Sequence, residues 1–158
     1  HPEVKLVIAP HVIDENHLVE IIRKLKRPYV RYTCADEKNV RKADCLIIDC
    51  FGLLSSIYRY GEIAYIGGGF GVGIHNTLEA AVYGIPVIFG PKYQKFQEAI
   101  QLLEAKGAFS VKDYEELKTL IDRMLTDEVF LRESGMNASN YVTGNAGATD
   151  KIMSMINF

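Results

Sequence analysis

The sequence predicts an α/β fold: a Rossmann-like, doubly wound parallel sheet of six strands. Short apolar segments, as found in strands buried on both faces, alternate along the chain with amphipathic segments of helical periodicity. This alternation favours a parallel sheet that carries helices on its faces. The 158 residues suffice for one such domain, residues 1–158, with a sizeable core.

Six apolar segments are the predicted strands. They are Val4–Ala9, Tyr29–Tyr32, Cys45–Asp49, Ile63–Ile66, Pro86–Phe89 and Ala108–Val111. The first is a nearly continuous apolar run, so we expect it to be buried on both faces. The polar segment Ala35–Lys42 carries both signs of charge, and we expect a solvated connection there.

Helix-like segments lie between and after these strands. They follow Asp14, span Gly52–Tyr60, follow Asn76, run from Phe96 to Gly107, follow Asp113, and cover Glu128–Tyr141 and Thr149–Ile156. Asp14 and Asp113 are residues that cap helix N-termini well. We expect Asp49 to cap the helix entered at Gly52, unless it belongs to a binding site.

Composition narrows the possible functions. A formal net charge of −2 and a pI near 6.1 give no electrostatic reason to expect nucleic acid as a partner. No apolar run approaches the ~20 residues that a membrane-spanning helix needs. Cys34, Cys45 and Cys50 form no CxxC motif, so we expect no metal site. The chain enters a strand almost directly after His1, and we expect it to be part of a longer protein.

One stretch, Gly67–Pro91, indicates a binding function. It reads GGGFGVGIHNTLEAAVYGIPVIFGP and forms a strand end, a glycine-rich loop, a helix and a new strand. Glycines allow a backbone to approach a ligand closely, and a helix N-terminus after them offers N–H groups to an anion. In doubly wound sheets, ligands bind at the carboxyl ends of the strands. We therefore expect this stretch to hold the phosphate and sugar of a nucleotide.

Two common nucleotide motifs are absent from the stretch. No register of its glycines gives G-x-G-x-x-G, and they follow the fourth strand rather than the first, which disfavours NAD or FAD. No G-x-x-x-x-G-K-[ST] sequence occurs, which excludes a P-loop.

Glu79 has two interpretations at this stage. With Asn76 as N-cap, Glu79 is the third helical residue and can bond back in a capping box. Alternatively, its carboxylate accepts the hydroxyls of a ribose, as acidic residues do in other nucleotide sites. His75 is either an ordinary solvated side chain or a contact to the anion.

The same residues resemble those of a known family. The glycine-rich stretch with its HNTLEA segment is similar to the donor-binding half of the 3-deoxy-D-manno-octulosonic acid (Kdo) transferases, which are GT-B glycosyltransferases. Pro10-His11, the DCFGLL segment from Asp49 to Leu54, and Asn145–Ala148 also stand at positions of family motifs. Three residues depart from the pattern, namely Leu53, His11 and Lys95.

The resemblance implies a donor-binding domain in the C-terminal half of a GT-B enzyme. The donor is CMP-Kdo, a substrate, and no cofactor or metal is expected. The donor-binding residues carried over are Gly52, Gly67, Gly68, Gly69, Gly71, Gly73, His75, Asn76 and Glu79, with His11 and Lys95 at the departing positions. Lys92, in the same loop as Lys95, is a further candidate for positive charge beside the anions.

The remaining parts of such an enzyme are expected outside this chain. The resemblance implies an inverting transfer of Kdo to a lipid A precursor in lipopolysaccharide biosynthesis, at the cytoplasmic face of the bacterial inner membrane. The catalytic base and the acceptor site belong to an N-terminal domain, so no catalytic residue is assigned here and the isolated chain is expected to be inactive.

Two alternatives stay open. The first is a GT-B transferase or 2-epimerase that uses a UDP-sugar; a diphosphate favours an added Arg or Lys, and none lies between Gly67 and Gly90. The second is a Rossmann-like interaction module without catalysis, in which side chains would plug the glycine-rich loop.

Overall fold

The computed structural model describes residues 1–147, 153 and 154. The chain divides into two compact units, His1–Ser56 (unit 1) and Ile57–Phe158 (unit 2). Each unit contains one three-stranded parallel sheet. The α/β class, the parallel direction and the six strands are confirmed. The assignment of residues 1–158 to a single domain stays a prediction.

Unit 1 builds its sheet around a central third strand. Its elements are β1 (Leu6–Ile8), α1 (Glu15–Lys24), β2 (Tyr29–Arg31), a 3-10 turn (Tyr32–Cys34), α2 (Glu37–Val40), β3 (Cys45–Ile47) and the start of α3 (Leu54–Ile57). Strand β3 pairs with β1 on one side and with β2 on the other. The buried Leu18 of α1 packs on Cys45 and Ile47 of β3, which confirms the predicted apolar face of that helix. Asp14 caps α1 as expected, since its carboxylate accepts the N–H of His17 at 3.0 Å.

One expectation for unit 1 was incomplete and another was wrong. The segment Ala35–Lys42 is a largely exposed connection, as expected. The polar segment after β2 contains the one-turn helix α2, because Asp36 and Asn39 form a reciprocal capping box there. Strand β1 is not buried on both faces, since Leu6 and Val7 are 42% and 47% exposed. Within the described residues β1 pairs only with β3, so its side chains have packing neighbours on one flank.

Unit 2 has the better covered sheet. After a 3-10 turn (Tyr58–Tyr60), its elements are β4 (Ala64–Ile66), α4 (Leu78–Ala81), β5 (Val87–Phe89), α5 (Gln97–Glu104), β6 (Ala108–Ser110), α6 (Tyr114–Thr126) and α7 (Glu128–Asn145). Central β5 pairs with β4 and β6, and its three side chains are completely buried. Val87 and Phe89 face one apolar cluster while Ile88 faces another, so helices cover both faces of this sheet.

The strand pairing differs from the expected single sheet of six. The described strands are hydrogen-bonded as β1-β3-β2 and as β4-β5-β6. Strand positions follow from local apolar patterns, whereas strand order depends on contacts between distant segments, which those patterns do not encode.

The C-terminal region matches the prediction in part. Asp113 caps α6 by accepting the N–H of Glu116 at 2.9 Å, as expected. Helix α7 continues to Asn145, beyond the predicted end at Tyr141. The predicted last helix, Thr149–Ile156, lies outside the described residues apart from two helical positions, 153 and 154. Among the helices of the described residues, none has the length and apolar character needed to cross a membrane.

Candidate functional site

The glycine-rich loop between β4 and α4 closes on its own backbone. Gly68 has a φ of +89°, and a Cβ at this position would lie 2.2 Å from the carbonyl oxygen of Gly73. The amide of Gly71 donates to the Gly68 carbonyl at 2.8 Å, which forms a tight turn. Gly68 is therefore required by the loop's own conformation, independently of any ligand.

A second loop, Gly90–Phe96 after β5, packs directly against the first. A Cβ on Gly69 would lie 2.6 Å from the backbone nitrogen of Gly90, and a Cβ on Gly73 would lie 2.9 Å from the Phe96 ring. The Lys92 amide also donates to the Gly69 carbonyl at 2.9 Å. The two loops thus support each other, and neither contact leaves room for a side chain.

The loop keeps backbone donors available. Within the described part of the chain, Gly71 is the one residue from Gly68 to Gly73 whose amide has a hydrogen-bond acceptor. A Cβ on Gly67 would meet nothing within 4 Å, and a Cβ on Gly71 would come no closer than 3.5 Å to another atom. Successive backbone amides without acceptors are the groups with which nests of this kind bind phosphate.

The residues after the loop form a short helix start. The Asn76 Oδ1 accepts the N–H of Leu78 at 2.9 Å, and its Nδ2 donates to the Glu79 Oε1 at 3.0 Å. The N-cap of α4 is Thr77, which makes no side-chain cap bond, so the predicted N-cap at Asn76 and the predicted capping box are wrong. Asn76 lies one residue earlier, and Glu79 contacts its side chain rather than its backbone. His75 is exposed, and its amide donates to the Gly67 carbonyl at 3.3 Å.

Helix α4, which follows the glycine-rich loop, is short. It spans only Leu78–Ala81, one turn, so its aligned peptide dipoles contribute little to anion binding. The unbonded amides of the glycine-rich loop therefore contribute more to anion binding at this site than the dipole of α4 does.

Tyr58 lies near Glu79 and was not identified from the sequence. Its half-buried ring packs against the core of unit 2. Burial, together with the negative charge of Glu79, raises the pKa of the Tyr58 phenol. The sequence offered no signal for this proximity, because Tyr58 precedes Glu79 by a whole strand and loop.

Lys95 lies in a cavity between the two loops. The cavity has a volume of about 250 Å³ and is lined by Gly71, Val72, Lys92, Gln94, Lys95 and Phe96. The structure therefore brings the two lysines of the second loop to the edge of the glycine-rich loop. No acidic side chain lines this cavity.

His11 and Gly52 belong to unit 1. His11 is exposed in the segment after β1. Gly52 has a φ of +87°, a left-handed conformation, and a Cβ on it would meet nothing within 4 Å. The left-handed turn accounts for a glycine at this position, and its role in donor binding stays a prediction.

Asp49 does not cap the helix that follows Gly52, which corrects that expectation. Its carboxylate is 1% exposed and accepts three hydrogen bonds, from Arg31 Nε at 2.8 Å, Thr33 N at 2.9 Å and Thr33 Oγ1 at 2.6 Å. Arg31 in turn donates to both oxygens of Glu15, at 2.9 and 3.0 Å. Helix α3 starts only at Leu54, five residues beyond Asp49, too far for Asp49 to be its N-cap.

The pKa of Asp49 reflects these hydrogen bonds. Burial acts to raise the pKa of Asp49, but the hydrogen bonds from Thr33 and Arg31 outweigh it and hold the pKa at about 2. The carboxylate is therefore ionised at neutral pH and committed to structural partners. Among the residues that the structure describes, no three His, Cys, Asp or Glu side chains cluster as a metal site.

Comparison with curated proteins relates the chain to one family. It is 35% identical over 128 residues to the 3-deoxy-D-manno-octulosonic acid transferase of Aquifex aeolicus, covering 80% of this chain and 35% of that protein. The Chlamydia muridarum protein of the same name is 33% identical over 127 residues, covering 78% of this chain and 29% of that protein. The chain is homologous to part of a Kdo transferase. No family model matches.

The Kdo transferase relatives are longer than this chain, which spans about a third of the length of the first of them. A bifunctional glycosyltransferase/methyltransferase of Fusobacterium nucleatum is also 30% identical over 148 residues, with 87% of this chain and 23% of that protein covered. The resemblance that the HNTLEA segment indicated is confirmed.

A solved structure shares the fold. The crystal structure of the C-terminal CMP-Kdo binding domain of WaaA from Acinetobacter baumannii matches with a TM-score of 0.78, covering 89% of this chain and 75% of that one. The sequences are 18% identical, so this likeness establishes the Rossmann-like fold alone.

Proposed function

We propose that the chain is the donor-binding part of a Kdo transferase and binds CMP-Kdo. The observation that carries the proposal is the glycine-rich loop of unit 2, with its unbonded amides between Gly68 and Gly73. A loop of this kind suits a phosphate, and it lies in a chain homologous to Kdo transferases. The name of the structural neighbour from Acinetobacter baumannii supports the same donor.

Each part of the loop has a task in this proposal. The amides of Gly68, Gly69 and Gly73 hold the phosphate of CMP. As the bond between phosphate oxygen and sugar breaks, negative charge grows on that phosphate, and preorganised donors stabilise it without reorganisation. The leaving group is thereby stabilised by the chain's own backbone.

Glu79 is the proposed ribose contact. Its Oε1 accepts from Asn76 at 3.0 Å, while among the described residues its other oxygen has no hydrogen-bond partner. The bond to Asn76 orients the carboxylate, and the second oxygen is available to accept from a ribose hydroxyl. The contact with Asn76 and the binding of the ribose are then two roles of one side chain.

The rest of the reaction is assigned to regions that this chain does not span. We propose that the whole enzyme transfers Kdo, with inversion, to a lipid A precursor at the cytoplasmic face of the bacterial inner membrane. The base that deprotonates the acceptor hydroxyl lies outside residues 1–158 in this proposal. No cofactor is required, since CMP-Kdo supplies both sugar and leaving group.

Titration calorimetry tests the donor. The chain is titrated with CMP, UMP and UDP at one fixed ionic strength. We expect binding of CMP in preference to UMP and UDP, and no Kdo transfer by the chain alone. Tighter binding of UDP than of CMP would contradict the assignment and favour a UDP-sugar enzyme instead.

A substitution at Glu79 tests the ribose contact. We expect Glu79→Gln to weaken CMP binding on the order of ten-fold, because an amide is a weaker acceptor than a carboxylate. The bond to Asn76 is one exposed contact, so the variant stays folded. The matched control is Glu128→Gln at the first residue of α7, an exposed position, which removes the same charge. Unchanged CMP affinity with lowered thermal stability would leave Glu79 with the contact to Asn76 alone.

A further inference from the structure

The cavity between the two loops of unit 2 is smaller than a site for a whole ligand. Its volume of about 250 Å³ lies below the roughly 300–1,000 Å³ that complete ligand sites usually measure. A nucleotide sugar does not fit within it. A carboxylate with the carbon that carries it does.

The walls of the cavity are held in place by backbone contacts. Lys92 N–H donates to the Gly69 carbonyl at 2.9 Å, and the Gly69 and Gly90 backbones touch, since a Cβ on Gly90 would lie 2.7 Å from the Gly69 carbonyl carbon. The Phe96 ring closes one side against Gly73. The backbone beneath the cavity is therefore fixed by the packing of the two loops, while the exposed side chains of Lys92, Gln94 and Lys95 line it.

The charge of the cavity has a single sign. Lys92 and Lys95 line it, no acidic residue does, and neither ammonium group has an ion-pair partner among residues 1–147, 153 and 154. Lys118, by contrast, pairs with Asp122 at 2.7 Å. Both lysines are exposed and the neighbouring Val72 is 104% exposed, so their attraction for an anion is that of two neighbouring charges at the protein surface.

Two kinds of group that donate hydrogen bonds to an anion lie side by side in this region. The amides of the glycine-rich loop suit a phosphate, while the cavity supplies mobile ammonium groups from the neighbouring loop. Gly71 and Val72 belong to both. A ligand whose phosphate sits on the amides would therefore place a second anionic group, attached nearby, within reach of the lysines.

We propose that Lys92 and Lys95 form a subsite for the carboxylate of the sugar acid carried by the donor nucleotide. This inference rests on the proposed function, because the donor must first place its phosphate on the glycine-rich loop. The subsite then selects nucleotide-linked sugar acids over nucleotides that bear neutral sugars. It also orients the sugar, since the carboxylate is attached to the carbon that takes part in the transfer.

The test compares ligands that differ in one group. The chain and its Lys92→Met and Lys95→Met variants are titrated with CMP, which lacks the carboxylate, with CMP-Kdo, which carries it, and with CDP, which carries a second phosphate instead. We expect each variant to weaken CMP-Kdo binding about five- to ten-fold, less than a buried charged hydrogen bond would give, because both lysines are exposed. CMP binding should change less than about two-fold. The double variant should bind CMP-Kdo and CMP nearly alike.

Lys42→Met is the matched control. Lys42 is an exposed lysine of unit 1, so this change removes the same net charge without touching the cavity. Equal weakening of CMP and CMP-Kdo in the cavity variants would assign the lysines to the phosphate and overturn the carboxylate subsite. The carboxylate subsite would also be overturned if the lysines strengthened the binding of CDP relative to CMP but did not strengthen the binding of CMP-Kdo. If the unsubstituted chain bound none of the three ligands, the proposed function itself would fail.

Discussion

Two loops that follow parallel strands, one in each unit, keep their shapes by opposite means. In unit 1, the segment after β3 is held by side chains, since the buried Asp49 accepts three hydrogen bonds from Arg31 and Thr33. In unit 2, the loop after β4 is held by close backbone contacts at Gly68 and Gly69. The polar groups that hold the loop of unit 1 are hydrogen-bonded to each other and cannot bind a ligand as well. Glycine packing, by contrast, leaves backbone amides available for a ligand.

The largest expected effect comes from placing a side chain where the glycine-rich loop closes. Gly68→Ala puts a Cβ 2.2 Å from a carbonyl oxygen at a φ of +89°. We expect a loss of about 2–4 kcal/mol in the free energy of unfolding, from steric clash and backbone strain together. Urea unfolding measures it.

Gly67→Ala is the control for that change, because its Cβ would meet nothing within 4 Å. We expect its free energy of unfolding to stay within about 0.5 kcal/mol of the original value. Similar losses at both positions would mean that general glycine flexibility, and not the closed backbone, determines the stability of this loop.

The next effect concerns the side-chain network of unit 1. Asp49→Ala leaves Thr33 and the Nε of Arg31 without their acceptor, and we expect a loss of about 2–3 kcal/mol in unfolding free energy. Glu15→Ala removes a carboxylate that is 67% exposed, and should cost less than about 1 kcal/mol. A larger loss at Glu15 than at Asp49 would reverse the proposed order of importance in the network.

Acid weakens the same network. The pKa of Asp49 is about 2 in the folded chain and ~3.9 in an unfolded one, so the ionised carboxylate stabilises the fold at all pH values above ~5. This contribution, about 2 kcal/mol, is lost as the pH falls from ~5 through the folded pKa. Urea titrations at several pH values measure it, and the Asp49→Asn variant should lack this component. An equally steep acid loss in the variant would assign it to other carboxyl groups.

The smallest effect concerns a buried hydroxyl in the segment after the glycine-rich loop. Thr77 is 1% exposed, and its Oγ1 has no hydrogen-bond partner among the described residues. Thr77→Val keeps the shape of the side chain and removes the unbonded hydroxyl. We therefore expect the free energy of unfolding to stay the same or to rise by up to about 1 kcal/mol. Thr33→Val, whose hydroxyl bonds Asp49 at 2.6 Å, should instead lose about 1–2 kcal/mol. Destabilisation at Thr77 would indicate a bound water at this hydroxyl.

Part of the candidate site was predictable because its signals are local. Gly67–Glu79 was identified from glycine spacing and from the HNTLEA segment. Asn76 does accept a hydrogen bond from the backbone of the following helix, although the N-cap itself is Thr77. What the glycines do was predicted only in part. Gly68 and Gly69 serve contacts within and between loops, and such contacts require knowledge of which segments meet.

Tyr58 and the partners of Asp49 illustrate what local reasoning misses. Asp49 receives its hydrogen bonds from residues 16 and 18 positions earlier in the chain, so a helix cap a few residues away was the nearest local explanation. The charge of Glu79 acts on Tyr58, although a strand and a loop separate the two residues along the chain.

The sequence by itself determined the class of the fold, the order of its six strands along the chain, the caps at Asp14 and Asp113, and the place of the glycine-rich loop. These depend on periodicity and on hydrogen bonds between residues close in the chain. Tertiary structure alone decided that the strands pair in two groups of three, that Asp49 is a structural carboxylate, and that Lys92 and Lys95 share a cavity with the glycine-rich loop. Those features arise from packing between distant segments, where the energy of a contact depends on the geometry of the whole unit.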